Sequence, residues 1–177
     1  MILREVMSFR FDENTGRVCR DSAIRHFPNV PLDVVQQVII DHGRNSDLQE
    51  QYGHLDFNLL TWSKENLPGA VLRQCTRSYR SDQLFANCFE RTSLVAKKGW
   101  KFMDGRRAVS AHWEQYGTWL LPPVLIAGEL VGRSDSLHIV EGHTRIGNLT
   151  GLIHADIISD ALCHGAWVGQ PSRFKAA

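Results

Sequence analysis

The residues best suited to chemistry stand together in one short segment, Glu141-Gly142-His143-Thr144-Arg145. A glutamate and a histidine can move protons, and an arginine can hold an oxyanion with a forked pair of N–H groups. A glycine lets the backbone approach a ligand closely. The segment therefore predicts a phosphate site. Its candidate catalytic residues are Glu141 and His143, and its candidate phosphate ligands are Gly142, His143, Thr144 and Arg145.

The flanking pattern predicts a strand, a sharp turn and a helix. The apolar run Leu137–Val140 predicts the strand, which Gly142 ends, and Thr144 is the predicted N-cap of the helix. The first amides of a helix have no intrahelical partners and lie at its positive end, so an anion is stabilised there. Gly147 and Gly151 share one side of this helix, and we expect that side to pack closely against a sheet.

Another interpretation of the same segment needs no ligand. Arg145 would pair with Glu141, and Thr144 would only cap the helix, because strand–glycine–helix junctions are common in proteins. The other histidines do not indicate a metal site. His138, His154 and His164 lack the spacing of a known metal site, so no metal ligands are predicted.

The elements around the segment indicate one α/β (α+β) domain. Residues 1–117 read as a mainly helical region packed on a core, and residues 118–177 read as the compact α/β core. Within that core, Val124–Ala127 and Leu137–Val140 predict a hairpin joined by Gly128–Ser136, and Ala166–Gly169 predicts a closing strand. The expected architecture is a small mixed sheet covered by the N-terminal helical region.

The order of these elements resembles the core of the ParB/sulfiredoxin superfamily. The segment PPVLI, a connection and then HIVEGHTRIGNLTGL correspond to a strand that runs into a Gly-x-x-Arg turn and a helix. The matching residues are Gly142, His143, Thr144 and Arg145. The resemblance covers about Trp119–Gly169, and it implies a ParB/sulfiredoxin-like core.

The resemblance also implies a ligand and an activity. Members of the superfamily bind the phosphates of CTP through a GERR-type turn, or of ATP through a GCHR-type turn, and free-standing serine kinases carry a GHHR-like version. A similar role here implies ATP or CTP as cofactor, with Mg²⁺, and phosphoryl transfer or nucleotide hydrolysis at the turn. His143 replaces the catalytic cysteine of sulfiredoxins, so sulfinic-acid reduction is not expected. ParB's DNA-binding helical domain is not evident either, so a chromosome-partitioning clamp is not expected.

Two other functions stay open. The first is a non-catalytic module that senses a nucleotide or binds a partner's phosphate, in a defence, toxin or mobile-element context. The second, a ParB-like nuclease, is the weaker one, because no paired carboxylates near the turn suggest a two-metal site. A net charge of +1 does not indicate nucleic acid as the partner, although a basic stretch around Arg106 and Arg107 is interleaved with aromatic residues.

Composition also bears on location. No apolar run approaches the roughly 18 residues of a membrane-spanning helix. The four cysteines, at irregular spacings, do not suggest a disulfide framework. The sequence therefore predicts a cytoplasmic protein that does not contact membranes, with a nucleotide or another phosphate-bearing small molecule as its partner.

Overall fold

The computed structural model describes residues 1–133 and 136–172. Ser134 and Asp135 belong to the predicted Gly128–Ser136 connection and lie outside the described residues, as do residues 173–177 of the predicted core. Among the described residues, no helix is both long and apolar enough to cross a membrane.

Helices precede and follow the first strand, and the other three strands lie in the last third of the chain. The helices are α1 (Arg20–His26), α2 (Leu32–Val34), α3 (Ser46–Tyr52), α4 (Gly69–Leu72), α5 (Asp82–Ser93), α6 (Val95–Lys98), α7 (Arg107–Tyr116) and α8 (His143–His154). The strands are β1 (Leu60–Pro68), β2 (Val124–Ala127), β3 (Leu137–Glu141) and β4 (Cys163–Pro171). After α2 the chain continues as a π-helix, Val35–Ile40. The predicted α/β class is confirmed.

Within the described residues, these strands form one mixed sheet in the order β1-β4-β2-β3. β2 pairs antiparallel with β3 and parallel with β4, whose other edge pairs antiparallel with β1. The mixed sheet and the hairpin agree with the sequence interpretation. The strand β1 was not predicted, because its run of polar residues, Ser63–Asn66, does not resemble a buried strand. It pairs along an edge of the sheet, where one side stays open to solvent.

Both faces of the sheet are covered. Successive side chains of a strand point to opposite faces, and β2 is buried along its whole length. Val124 and Ile126 pack into a cluster formed mainly by residues 3–60, whereas Leu125 packs into a second cluster that contains Trp113 and Leu149. The sheet therefore lies between the N-terminal helical region and a layer that includes α5, α7 and α8.

The glycine side of the helix α8 packs closely against α5, not against the sheet as the glycine spacing had suggested. A Cβ atom built on Gly147 would lie 2.9 Å from the Cβ of Cys88, and one built on Gly151 would lie 2.9 Å from the backbone oxygen of Phe89. Real Cβ atoms do not approach neighbours this closely. The two glycines therefore let two helices approach each other, and the expectation of helix-on-sheet packing for this side was wrong.

Candidate functional site

The predicted strand–turn–helix is present at Glu141–Arg145. β3 ends at Glu141, Gly142 takes a left-handed conformation with φ of 104°, and α8 begins at His143. A Cβ atom on Gly142 would lie 2.5 Å from the Cβ of Pro123, so only glycine fits this turn. The predicted N-cap was wrong by two residues. Gly142 occupies that position, because its carbonyl accepts the first helical hydrogen bond, from Ile146 at 3.0 Å.

A bulge in β3 precedes the turn. Val124 pairs with Glu141 and Leu125 pairs with Ile139, which leaves Val140 as an extra residue in β3. Bulges bend a strand and change the direction of the next side chain, and they are frequent beside functional sites. Here the bulge sets the direction of Glu141 at the end of the strand.

The first turn of α8 offers unpaired backbone donors. In the described part of the chain, no acceptor lies within hydrogen-bonding distance of the N–H groups of His143, Thr144 and Arg145, and no side chain caps the helix. α8 has 12 residues. A helix of that length carries about +0.5 elementary charge at its N-terminus. The turn therefore has the donors and the field that an oxyanion requires.

The guanidinium of Arg145 is engaged by protein groups. Its Nη1 donates to Gln37 Oε1 at 2.7 Å and to the carbonyl oxygens of Leu121 and Pro122 at 2.8 and 3.1 Å. Its Nη2 donates to Glu141 Oε1 at 2.7 Å. Burial lowers the pKa of Arg145, and the Glu141 carboxylate acts in the opposite direction. Arg145 thus ties the turn to two other parts of the chain, and its direct contact with a phosphate stays a prediction.

His143 carries an unsatisfied ring nitrogen. Its Nε2 is shielded from solvent and has no hydrogen-bond partner among the described residues. Burial lowers the pKa of His143, and the neighbouring Glu141 carboxylate only partly opposes that shift. The ring is therefore neutral at pH 7, so one ring nitrogen can accept a proton and the other can donate one.

The side chain of Thr144 lies between the turn and α5. Burial raises the pKa of the Cys88 thiol, and Arg91 and the Thr144 hydroxyl both act against that rise. Thr144 is the second residue of α8, so its backbone N–H remains available even while its hydroxyl lies near the thiol. Its predicted role as a phosphate ligand therefore rests on that N–H.

The turn faces a cleft of about 400 Å³, which we call the main cleft. Its polar border combines the turn residues Glu141–Arg145 with Gln37, Asp41, His42 and Arg106. Each charge on this border is paired, for example Asp41 with Arg17 and Glu141 with Arg145. Because the side-chain charges balance, the N-terminus of α8 is what favours an anion in this cleft.

The remaining border of the main cleft is an apolar wall. It consists of Leu84, Val109, Trp113, Trp119, Leu120 and Leu121. Leu120 is 57 % exposed and Leu121 is 43 % exposed, which is unusual for large apolar side chains on one cleft. The indole N–H of Trp113 is buried and has no acceptor among the described residues. The wall could therefore bury the apolar part of an organic ligand.

Several residues of this cleft were missed in the sequence. Gln37 and His42 lie about one hundred residues before the turn, and nothing in their local sequence links them to it. Two glutamines, Gln36 and Gln37, interrupt the apolar run Val34–Ile40, and this interruption was a signal that could have drawn attention to Gln37, which is 4 % exposed. Arg106 was noted only as part of a basic stretch, yet it borders the cleft, where it is bound to Asp104 through two nitrogens.

The turn offers a metal ion one carboxylate oxygen, Oε2 of Glu141. Among residues 1–133 and 136–172, no three His, Cys, Asp or Glu side chains come together as a metal site. Mg²⁺ commonly needs only one or two carboxylates when phosphate oxygens complete its coordination. Glu141 suits that role as an alternative to accepting a proton, because Oε1 is bound to Arg145 and no donor in the described part of the chain reaches Oε2.

Comparisons with known proteins do not place the chain in a family. No family model, no curated protein and no solved structure matches it. The resemblance to the ParB/sulfiredoxin superfamily therefore stays a prediction from the motif Gly142–Arg145 and the order of the surrounding elements.

Two buried histidines, His138 in β3 and His164 in β4, predict sensitivity to acid. Tyr52 and Thr76 contact the ring nitrogens of His138 at 2.9 and 2.8 Å, and Thr118 contacts His164 at 3.0 Å. Burial lowers the pKa of both histidines to about 4. Between about pH 4 and pH 6.5, these two histidines are therefore protonated in the unfolded chain but neutral in the folded chain. The free energy of unfolding should be constant above about pH 6.5 and should fall by about 3 kcal/mol per histidine as pH drops towards 4.

Urea titrations of wild type and His164→Leu, at several pH values between neutral and about pH 4, measure this effect. The variant should lose less stability on acidification than wild type does. His54→Leu, which replaces an exposed histidine, is the matched control and should retain the wild-type pH profile. Identical acid profiles for His164→Leu and wild type would contradict the prediction.

Proposed function

We propose that this protein binds a nucleotide, or another phosphate-bearing small molecule, in the main cleft and catalyses phosphoryl transfer or nucleotide hydrolysis there. One observation carries the proposal: the unpaired first turn of α8 opens onto a cleft that also has an apolar wall. Phosphates suit the first feature, and a base or sugar suits the second. A volume of about 400 Å³ lies within the range of about 300–1,000 Å³ that is typical of small-molecule sites.

The catalytic part of the proposal rests on two side chains at the turn. Glu141 can accept a proton through Oε2, and the neutral ring of His143 can accept or donate one. Phosphoryl transfer needs positioning and charge stabilisation more than a covalent nucleophile. Two side chains that can move a proton are therefore enough for the reaction, and no nucleophilic side chain is required. When bound, Mg²⁺ would neutralise charge on the phosphates beside Glu141. ATP and CTP are the ligands that the motif suggests. We also propose a cytoplasmic location, because nucleotides are available there and thiols such as Cys88 stay reduced.

A non-catalytic nucleotide-sensing module is the second candidate, and one observation favours it. Glu141 is held by Arg145 at 2.7 Å, and Arg145 is in turn held by Gln37 and two carbonyl groups. Through such a network, a phosphate bound at the turn could change the conformation of residues 35–40 without any reaction. Turnover measurements separate the two candidates.

Arg106 provides the test of binding. Its side chain is 73 % exposed at the edge of the cleft, and Asp104 engages only Nε and Nη2, so Nη1 remains able to donate to a bound phosphate. We expect Arg106→Ala to weaken nucleotide binding about tenfold or more, because a charge-assisted hydrogen bond contributes about 1.5–3 kcal/mol. Calorimetric titration with ATP, ADP, CTP and GTP, with and without Mg²⁺, measures this loss.

Arg107→Ala is the matched control. Arg107 is the next residue, is exposed and does not border the main cleft, so its replacement should leave affinity unchanged. Asp104 loses its partner in Arg106→Ala, and thermal unfolding must therefore confirm that the variant is folded at the titration temperature. The proposal is wrong if wild type shows no binding heat and no thermal shift with any of the four nucleotides.

A further inference from the structure

A second depression adjoins the turn and contains none of the apolar-wall residues in its lining. We call it the side pocket. It has a volume of about 210 Å³, roughly half that of the main cleft. α3, the segment Ser78–Ser81 and the end of β3 form it. The side pocket therefore suits a smaller molecule than the ligand of the main cleft.

The side pocket and the main cleft share a wall. Three side chains border both of them: His42, Glu141 and His143. All three can carry a proton. A ligand in either depression would therefore meet the same three proton-carrying side chains.

The charged side chains that line the side pocket, Asp47, Arg80 and Glu141, are all paired. The guanidinium of Arg80 is paired with Asp47 and, at 2.8 Å, with Glu50. A second anion would gain little from a cation that two carboxylates already neutralise. In the described part of the chain, the side chains of Ser81 and His42 form no hydrogen bond, so they remain able to bind a neutral polar group.

We propose that the side pocket binds a small, uncharged hydroxyl compound that accepts the phosphoryl group from the nucleotide in the main cleft. This inference rests on the proposed function. The acceptor oxygen forms a bond to the terminal phosphorus while the bond from that phosphorus to its bridging oxygen breaks. The nucleoside diphosphate leaves with that electron pair, and the hydroxyl proton passes to the Glu141 carboxylate. The protein is accordingly a small-molecule kinase rather than a nucleotide hydrolase.

Ser81→Trp tests the assignment by filling the side pocket. Ser81 stands at the N-cap of α5 but makes no capping hydrogen bond through its side chain, so its replacement removes no contact of that helix. Ser93→Trp, at the other end of α5 and outside both depressions, is the matched control. The assay follows label from γ-³²P-ATP and γ-³²P-CTP, with Mg²⁺ and the small-molecule fraction of a cell extract, by thin-layer chromatography.

Wild type and Ser93→Trp should form a labelled compound distinct from phosphate. Ser81→Trp should form it at least about tenfold more slowly, with nucleotide affinity unchanged within about twofold. Three outcomes overturn the inference while nucleotide binding stands: label released only as phosphate or not at all, equal transfer by Ser81→Trp, or a matching loss of nucleotide affinity in Ser81→Trp. The last would mean that the nucleotide itself extends into the side pocket. If nucleotide binding is absent in wild type, the proposed function fails first.

Discussion

Arg145→Ala is expected to lower the free energy of unfolding by about 3 kcal/mol, because it breaks a partly buried ion pair and leaves the other partner uncompensated. The Arg145 and Glu141 side chains are only 17 % and 26 % exposed, so solvent screens their interaction weakly. The substitution also removes the donor for Gln37 Oε1 and for the carbonyl groups of Leu121 and Pro122. Chemical denaturation of wild type and variant gives the difference.

Arg145→Lys separates charge from geometry. A lysine keeps the positive charge, but its point-like ammonium cannot contact four acceptors arranged around a planar guanidinium. If Arg145 acts through its geometry, Arg145→Lys should lose most of the stability that Arg145→Ala loses, and nucleotide affinity should fall with it. If Arg145 only supplies charge near the phosphate, the lysine should preserve affinity. A change in stability below about 1 kcal/mol for Arg145→Ala, the usual range for exposed ion pairs, would contradict the structural role.

The turn was predictable because everything that makes it is local. The apolar run Leu137–Val140 forms a strand, and Gly142 alone fits the left-handed turn against Pro123. The periodic apolar residues after it form the helix. The start of the helix was predicted two residues too late, since threonine is a common N-cap. Here the glycine takes that position, because the sharp turn begins at Gly142 and the chain is already helical at Thr144.

The partners of the turn could not be predicted, because they depend on how distant segments pack. Gln37 is 108 residues away from Arg145, and its contact exists only because the π-helical segment Val35–Ile40 covers that end of the sheet. The spacing of Gly147 and Gly151 correctly indicated a close approach. It could not say whether a sheet or a helix would approach, since a missing Cβ accommodates either one.

Polar residues are also the reason that the strand β1 was not predicted. The segment Ser63–Asn66 carries no apolar alternation, and β1 is stabilised by its pairing with β4 along nine residue pairs. A strand at an edge of a sheet buries only part of each side chain, so its sequence is weakly constrained and resembles a loop. The result is that one strand of the sheet comes from the region that had been interpreted as mainly helical.

Glu141→Gln should reduce phosphoryl transfer or nucleotide hydrolysis by about 10²-fold or more while leaving nucleotide affinity nearly unchanged, which is the usual consequence of removing a general base. The amide oxygen of glutamine can still accept the hydrogen bond from Arg145 Nη2, so the geometry of the turn should persist. What the substitution removes is the negative charge and the ability of Oε2 to take up a proton. Single-turnover assays and calorimetric titrations on the same preparations measure turnover and affinity separately.

Asp41→Asn is the matched control for this substitution, because Asp41 is another carboxylate on the border of the main cleft and is paired with Arg17 at the surface. It lies outside the turn, so its replacement should leave turnover close to that of wild type. Three results for Glu141→Gln lead to three conclusions. Lost turnover with retained affinity supports Glu141 as the base. Reduced affinity together with reduced stability means that Glu141 serves only to hold Arg145 in place. If wild type has no turnover to lose and the variant binds nucleotide as tightly or more tightly, the carboxylate only repels the phosphates, and the protein is a nucleotide-sensing module.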